Sequence, residues 1–154
     1  MPRLPLLFFC LVLFAGCGRP DKTINIADDD PEMLAAIAKA RDTLPQFWNR
    51  YEKHDQGETD FALKVKISDK SQTEYFWVSE LERKNGELFG TINNDPELVH
   101  NVKLGQRLKI PAEDIADWLY LKQGKIVGNY TLRVLFKKMA PDEVEKNKRL
   151  LADP

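Results

Sequence analysis

The fold is decided by the stretch Phe61-Ala62-Leu63-Lys64-Val65-Lys66-Ile67, in which large apolar residues alternate with small or charged ones. Successive side chains of a β-strand point to opposite faces of the sheet, so this alternation predicts a half-buried strand with a charged outer face. The polar residues Asp69–Gln72 then predict a turn. Residues Glu74–Val78 are dense in the aromatic and β-branched types that strands favour, and they predict the second strand.

A hairpin signal follows at Asn85-Gly86, because both residue types tolerate the positive φ angles of a tight turn. Leu88–Ile92 then returns as a third strand. Residues 60–93 are therefore predicted to form a three-stranded antiparallel meander.

Upstream of the meander the apolar period changes from two to between three and four. Asp30 before Pro31 predicts a helix start, because Asp is a preferred N-cap and Pro suits the first helical position. One apolar stripe follows along the helix: Met33, Leu34, Ile37, Ala40 and Leu44. Pro45 is expected to stop or bend this helix. A second short helix, opened by Thr43 with Gln46, would carry Phe47, Trp48 and Tyr51.

Downstream of the meander the pattern is more broken. Asn93–Pro96 predicts a turn that leads into one helical turn at Glu97–His100, and Gln106–Ile110 predicts a fourth strand. Residues 115–120 lead to another turn at Gln123-Gly124. Residues 131–139 fit a helix face and a strand equally well, and a polar helix opens at Pro141. The sequence thus predicts an α+β fold, with N-terminal helices packed on an antiparallel β-sheet of about four to five strands.

The amino terminus is typical of an export signal. Arg3 precedes the apolar run Leu4–Phe14, and the small residues Ala15-Gly16 stand directly before Cys17. This order resembles the bacterial lipobox, whose cysteine takes a diacylglyceryl group and becomes the first mature residue. Gly18 after the cysteine favours the outer membrane by the same resemblance. The alternatives are an ordinary cleaved signal, which would secrete the domain to the periplasm, or an uncleaved anchor.

These features divide the chain into four parts: a signal peptide over 1–16, a lipid-attached tether over 17–30, an α+β domain over 31–140 and a polar helix or tail over 141–154. The formal net charge of −1 argues against a nucleic-acid binder, which would show a basic excess. Cys10 would leave with the leader and Cys17 would carry lipid, so no disulfide or cysteine metal ligand is expected. His54 and His100 have no metal-ligand spacing, and no cofactor is predicted.

Five residues in two clusters form the candidate binding groove: Asn93, Asn94, Asp117, Trp118 and Arg133. Side-chain amides, an Asp beside a Trp, and an Arg near glycines are residues that can line a small polar groove. The alternative is structural, because Asn and Asp also form turns and satisfy backbone groups.

The chain from about Asp30 to Met139 resembles the YegJ-like bacterial family, a domain of unknown function. The resemblance is carried, in this order, by five segments: Phe76-Trp77-Val78, Gly90-Thr91-Ile92-Asn93-Asn94-Asp95-Pro96, Gly105-Gln106, Ile115-Ala116-Asp117-Trp118-Leu119-Tyr120 and Gly128-Asn129-Tyr130-Thr131-Leu132-Arg133-Val134-Leu135. It implies a compact α+β domain, often exported in Gram-negative bacteria, and it transfers no catalytic residue.

The preferred hypothesis is an envelope lipoprotein, anchored through Cys17, whose domain binds an envelope protein or a small ligand without catalysis. No nucleophile–base set is evident in the sequence, and no catalytic residue is assigned. A second hypothesis is a hydrolase of an envelope polymer that uses Asp117 with Glu74 or Glu80 as acid and base. A third is an immunity-type module that neutralises a toxin.

Overall fold

The computed structural model describes residues 30–53 and 55–152. The predicted signal peptide, the lipid site Cys17, the tether up to residue 29, and His54 lie outside the described residues. Within those ranges no helix combines the length and the apolar character that crossing a membrane requires.

The described chain contains one six-stranded sheet in which every neighbouring pair is antiparallel. The strands are β1 Glu58–Asp69, β2 Gln72–Lys84, β3 Glu87–Ile92, β4 Arg107–Lys109, β5 Ile115–Lys122 and β6 Lys125–Gly128. Their order across the sheet is β4-β3-β2-β1-β5-β6. The α+β class and the central meander are confirmed. The predicted count of four to five strands was low, because the short β6 follows the turn at Gln123-Gly124 and its four residues carry no clear alternation.

Three α-helices accompany the sheet in the described residues: α1 Pro31–Lys53, α2 Tyr130–Leu135 and α3 Pro141–Leu150. Asp30 caps α1 as predicted, since its Oδ1 accepts the backbone N–H groups of Glu32 and Met33 at 3.0 Å each. Residues 131–139, which fitted both patterns, form α2 and a short 3₁₀ turn.

Pro45 does not stop the first helix, and no second helix opens after it, because α1 runs through Pro45 as one element. Proline removes one backbone hydrogen bond, but residues on both sides of Pro45 are anchored in the same core. Ala40 and Phe47 are almost fully buried. The Thr43 hydroxyl donates back to the carbonyl of Lys39 at 2.8 Å, so it does not open a second helix.

The core lies between α1 and one face of the sheet. Leu63 and Val65 of β1 and Phe76 and Val78 of β2 point into it, and all four are fully buried. Phe47 of α1 stacks obliquely on Trp118 of β5, with 5.6 Å between the ring centroids. The intervening residues of β1 and β2 therefore point to the opposite face, which is the outer face of the sheet.

Candidate functional site

Three side chains form a row across this outer face of the sheet. Lys64 of β1 pairs with Trp77 of β2 on one side and with Asp117 of β5 on the other. Directly paired residues of neighbouring strands share a face, so the three side chains are adjacent. We refer to them as the Trp77–Lys64–Asp117 row.

Asp117 is fully buried and accepts four hydrogen bonds. Its Oδ1 accepts the backbone N–H groups of Trp118 at 2.8 Å and Tyr130 at 3.2 Å. Its Oδ2 accepts the N–H of Thr131 at 2.8 Å and the Thr131 hydroxyl at 2.7 Å. Because the three donors from Tyr130 and Thr131 lie at the start of α2, the carboxylate acts as the cap of that helix and stabilises its positive end.

Lys64 connects the capped helix to the aromatic end of the row. Its Nζ donates to Thr131 Oγ1 at 3.1 Å and lies 5.4 Å from the centroid of the Trp77 ring. Burial lowers the pKa of the Lys64 amine, and the nearby charge of Asp117 opposes that shift. The amine is thus held by a hydroxyl, a ring face and a carboxylate.

Two of the predicted groove residues, Asn93 and Asn94, hold the backbone of Trp77 in place. The Trp77 N–H donates to Asn94 Oδ1 at 2.9 Å, and the Asn93 N–H donates to the Trp77 carbonyl at 2.9 Å. The Ser79 hydroxyl donates to Asn93 Oδ1 at 2.9 Å. The structure therefore connects Asn93 and Asn94 with Asp117, by way of Trp77 and Lys64.

The other two predicted residues do not join this arrangement. Trp118 is 2% exposed and lies on the core face of β5, where its indole N–H donates to the Ala40 carbonyl at 2.9 Å. Arg133 donates to the carbonyl of Ala152 at 3.3 Å. Trp118 therefore cannot line an exposed groove, and the prediction that places it there with Asp117 is corrected.

Sequence reasoning missed Trp77 and Lys64 as site residues. The signal was present in the alternation itself, because Lys64 is a charged outer-face residue of the strand on which the fold prediction rests. Trp77 lies between Phe76 and Val78, which are fully buried, while Trp77 is partly exposed. The outer face thus carries a partly exposed ring and an amide pair, with the buried Lys64 amine beneath the ring.

The acid pair of the hydrolase hypothesis is not assembled. Glu74 alternates with Phe76 and Val78, so it lies on the core side of the sheet, opposite the Trp77–Lys64–Asp117 row. Its carboxylate accepts the backbone N–H groups of Glu97 and Leu98 at 2.9–3.1 Å. These bonds replace the predicted helical turn at Glu97–His100 with an irregular loop.

Glu80, the alternative partner of Asp117, accepts a hydrogen bond from the Thr91 hydroxyl at 2.7 Å. In the part of the chain that the structure describes, no three His, Cys, Asp or Glu side chains converge in a way that could hold a metal ion. The backbone N–H and carbonyl of Trp77 already have hydrogen-bond partners, so a ligand at the Trp77–Lys64–Asp117 row would contact side chains.

The chain is similar to bacterial proteins. The family described as "Uncharacterized protein conserved in bacteria (DUF2314)" matches residues 30–151. The "Uncharacterized protein YegJ" of Escherichia coli K12 is 36% identical over 143 residues, which cover 93% of this chain and 91% of that protein. A putative ankyrin repeat protein of Neisseria meningitidis serogroup B is 26% identical over 132 residues, 80% of this chain and 48% of that protein. No solved structure matches the chain.

Proposed function

The chain belongs to the DUF2314 family, a YegJ-like bacterial domain of unknown function, and on that premise we propose that it is an envelope lipoprotein whose domain is a non-catalytic binding module. The binding surface is the outer sheet face around Trp77. The ligand is an envelope protein or a small molecule.

The observation that carries this proposal is the partly exposed Trp77 on a sheet face turned away from the core. Aromatic rings contribute large contact areas at little entropic cost, and amines and amides around them supply orientation. Lys64 beside the ring and Asn93 at its backbone provide those groups. A hydrogen-bonded support of this kind keeps the surface in shape before a ligand arrives.

The state of the carboxylates supports a role without catalysis. A general acid or base needs a free lone pair or proton within reach of a substrate. Asp117 already accepts four donors, and Glu74 is bound to the loop at Glu97 and Leu98 on the other side of the sheet.

The proposed location follows from the leader. Lipid on Cys17 would anchor the domain to the membrane, facing the periplasm, and Gly18 favours the outer membrane. Several acyl chains on one residue give stable anchoring where a single chain does not. Mass spectrometry of the mature amino terminus after membrane fractionation tests this point. A mature protein that begins at Cys17 with added acyl mass is expected, whereas an intact Met1 in the cytosol would refute the anchor.

The relatives give modest support to a binding role. The similar Neisseria protein is named as an ankyrin repeat protein, and this chain spans about half of its length. Ankyrin arrays stack their repeats into extended binding surfaces. A domain that occurs in such a protein fits a recognition role.

Site-specific photo-crosslinking tests the surface. A photoreactive residue at position 77 is expected to give one discrete adduct in cells, whose added mass distinguishes a protein from a small ligand. Position 84, exposed at the end of the β2–β3 hairpin, is the matched control. The proposal fails if position 77 gives no adduct, or if position 84 gives the same one.

A further inference from the structure

The hairpin that joins β5 to β6 places two lysines directly against each other. Lys122 and Lys125 are cross-strand partners on either side of a two-residue turn. Like charges in this position destabilise a sheet, because the side chains lie within a few ångströms of one another. A sequence retains such a pair at a cost to stability, and functional sites are where costs of this kind are expected.

A third lysine, Lys148 of the C-terminal segment, lies near this pair. The Ala152 N–H donates to the Ile126 carbonyl at 2.8 Å, which ties the end of α3 to the outer edge of β6. Between them lies a groove of about 420 Å³. Six residues line it, of which none is acidic: Lys122, Gln123, Lys125, Lys148, Leu151 and Ala152.

The nearby carboxylates of the described residues offset only part of the charge of these amines. Glu58 has a side chain only 2% exposed and lies 3.7 Å from Lys122 Nζ and 3.6 Å from Arg50 Nη1, while Arg50 also pairs with Asp55 at 2.6 Å. Neither of its oxygens accepts a hydrogen bond in the described residues. Burial raises the pKa of the Tyr120 hydroxyl and the charge of Glu58 raises it further, which places this carboxylate next to the aromatic core.

The charges of the other two lysines are offset even less by nearby carboxylates. Lys148 pairs with Glu145 at 3.6 Å, but both side chains are more than half exposed, and exposed pairs of this kind contribute little. Lys125 forms no ion pair within residues 30–53 and 55–152, and its amine donates to the carbonyl of Arg149. Among the residues that the structure describes, the groove therefore carries an excess of lysine charge on a framework fixed by backbone hydrogen bonds.

From these contacts we infer that the lysine groove binds a phosphoryl group. Lysine amines are compact point charges that bind phosphate from several directions, whereas a planar carboxylate is matched better by the guanidinium fork. A phosphoryl group between Lys122 and Lys125 would turn their mutual repulsion into two attractions. This site is separate from the outer face around Trp77.

The groove lies near the C-terminal end of α1. The Gln123 N–H donates to the Gly57 carbonyl at 3.0 Å, so the hairpin lies at the C-terminal end of α1. A helix of 23 residues is roughly 35 Å long, and the chain from Cys17 enters at its other end. The binding inference itself does not need the anchor.

Calorimetric titration of the full chain in a neutral detergent tests the inference with two probes: inorganic pyrophosphate and a soluble short-chain phosphatidylglycerol. Saturable pyrophosphate binding, weakened at least about tenfold by Lys125→Gln, would support a soluble phosphoryl ligand. Binding of the lipid alone, with the same loss, would assign the phosphoryl group to a lipid headgroup. Lys84→Gln removes an equal charge from another hairpin and should leave the affinity unchanged.

A second variant keeps the test independent of folding. Lys125→Glu creates an opposite-charge pair with Lys122, so it should raise the melting temperature while it abolishes binding. The inference is overturned if neither probe binds, or if Lys84→Gln weakens binding as much as Lys125→Gln. Failure of Cys17 lipidation would leave these titrations unaffected, so the two proposals can be judged apart.

Discussion

Asp117 and Thr131 make a two-point contact in which one carboxylate oxygen of Asp117 accepts both the backbone N–H and the hydroxyl of Thr131, at 2.8 and 2.7 Å. The first N–H groups of a helix have no partner within the helix. Asn129, the residue at the cap position of α2, adopts a φ of 53° and makes no side-chain cap bond. A residue of β5 therefore supplies the cap that the local sequence of α2 lacks.

We expect Asp117→Asn to lower the free energy of unfolding by about 2–3 kcal/mol, because an amide cannot give charge-assisted acceptance to all four donors. Urea denaturation followed by circular dichroism measures the change. Asp95→Asn, at an exposed position, should stay within about 0.5 kcal/mol of the parent. An unaltered unfolding midpoint for Asp117→Asn would show that the charge does not hold α2 in place.

The buried amine of Lys64 predicts a specific pH dependence of stability. Its folded-state pKa lies below the ordinary 10.5, so between those two values the unfolded chain binds more protons and stability rises with pH. Below the folded pKa the buried charge is a constant cost. Lys64→Met removes the group, so its stability relative to the parent should fall as the pH rises from neutral toward 10.5.

Chemical denaturation of both proteins at a series of pH values measures that difference. Only the difference between the two curves is informative, because the other titrating groups are common to both proteins. A difference that is constant with pH would mean that Lys64 keeps its ordinary pKa in the folded state.

The meander was predictable because the period-two alternation of Phe61–Ile67 has one physical interpretation, a strand with one buried face. The course of α1 was not predictable, because local preference at Pro45 opposes the helix while burial of Ala40 and Phe47 on one core favours it. Tertiary packing outweighs a single lost hydrogen bond here.

The site was predictable in part, for a reason that lies in β5. The pairing of β1 with β5 shifts its register between Lys64–Asp117 and Val65–Ile115, and the extra residue, Ala116, disturbs the alternation. Residues 115–118 are consequently all buried, so the sequence pattern does not reveal that Asp117 and Trp118 face opposite sides. The prediction for Asn93 and Asn94 depends on their place in a polar loop directly after a strand, which is a common place for functional residues.

The carboxylate of Glu74 holds the loop that follows β3 in place, so its removal should loosen that loop. Its carboxylate accepts the N–H groups of Glu97, Leu98 and Val99. We expect Glu74→Gln to destabilise the protein by about 1–3 kcal/mol and to increase amide hydrogen exchange in this loop before exchange in β1 and β2 rises.

Hydrogen exchange measured by mass spectrometry resolves the loop from the strands. Glu113→Gln, which removes an exposed carboxylate elsewhere, is the matched control. Equal exchange in the loop of the parent and of Glu74→Gln would contradict the proposed role of this carboxylate.

Gly128 has no room for a side chain. A Cβ there would lie 2.4 Å from the Trp118 carbonyl oxygen and 2.5 Å from its ring, and the residue has a φ of 84°. Gly124 shares the positive φ, 76°, but has open space around it. Gly128→Ala should therefore cost at least about 3 kcal/mol, whereas Gly124→Ala should cost about 1 kcal/mol from backbone strain alone. Thermal unfolding of the two variants separates steric contact from strain, and equal losses would mean that Trp118 does not pack against Gly128.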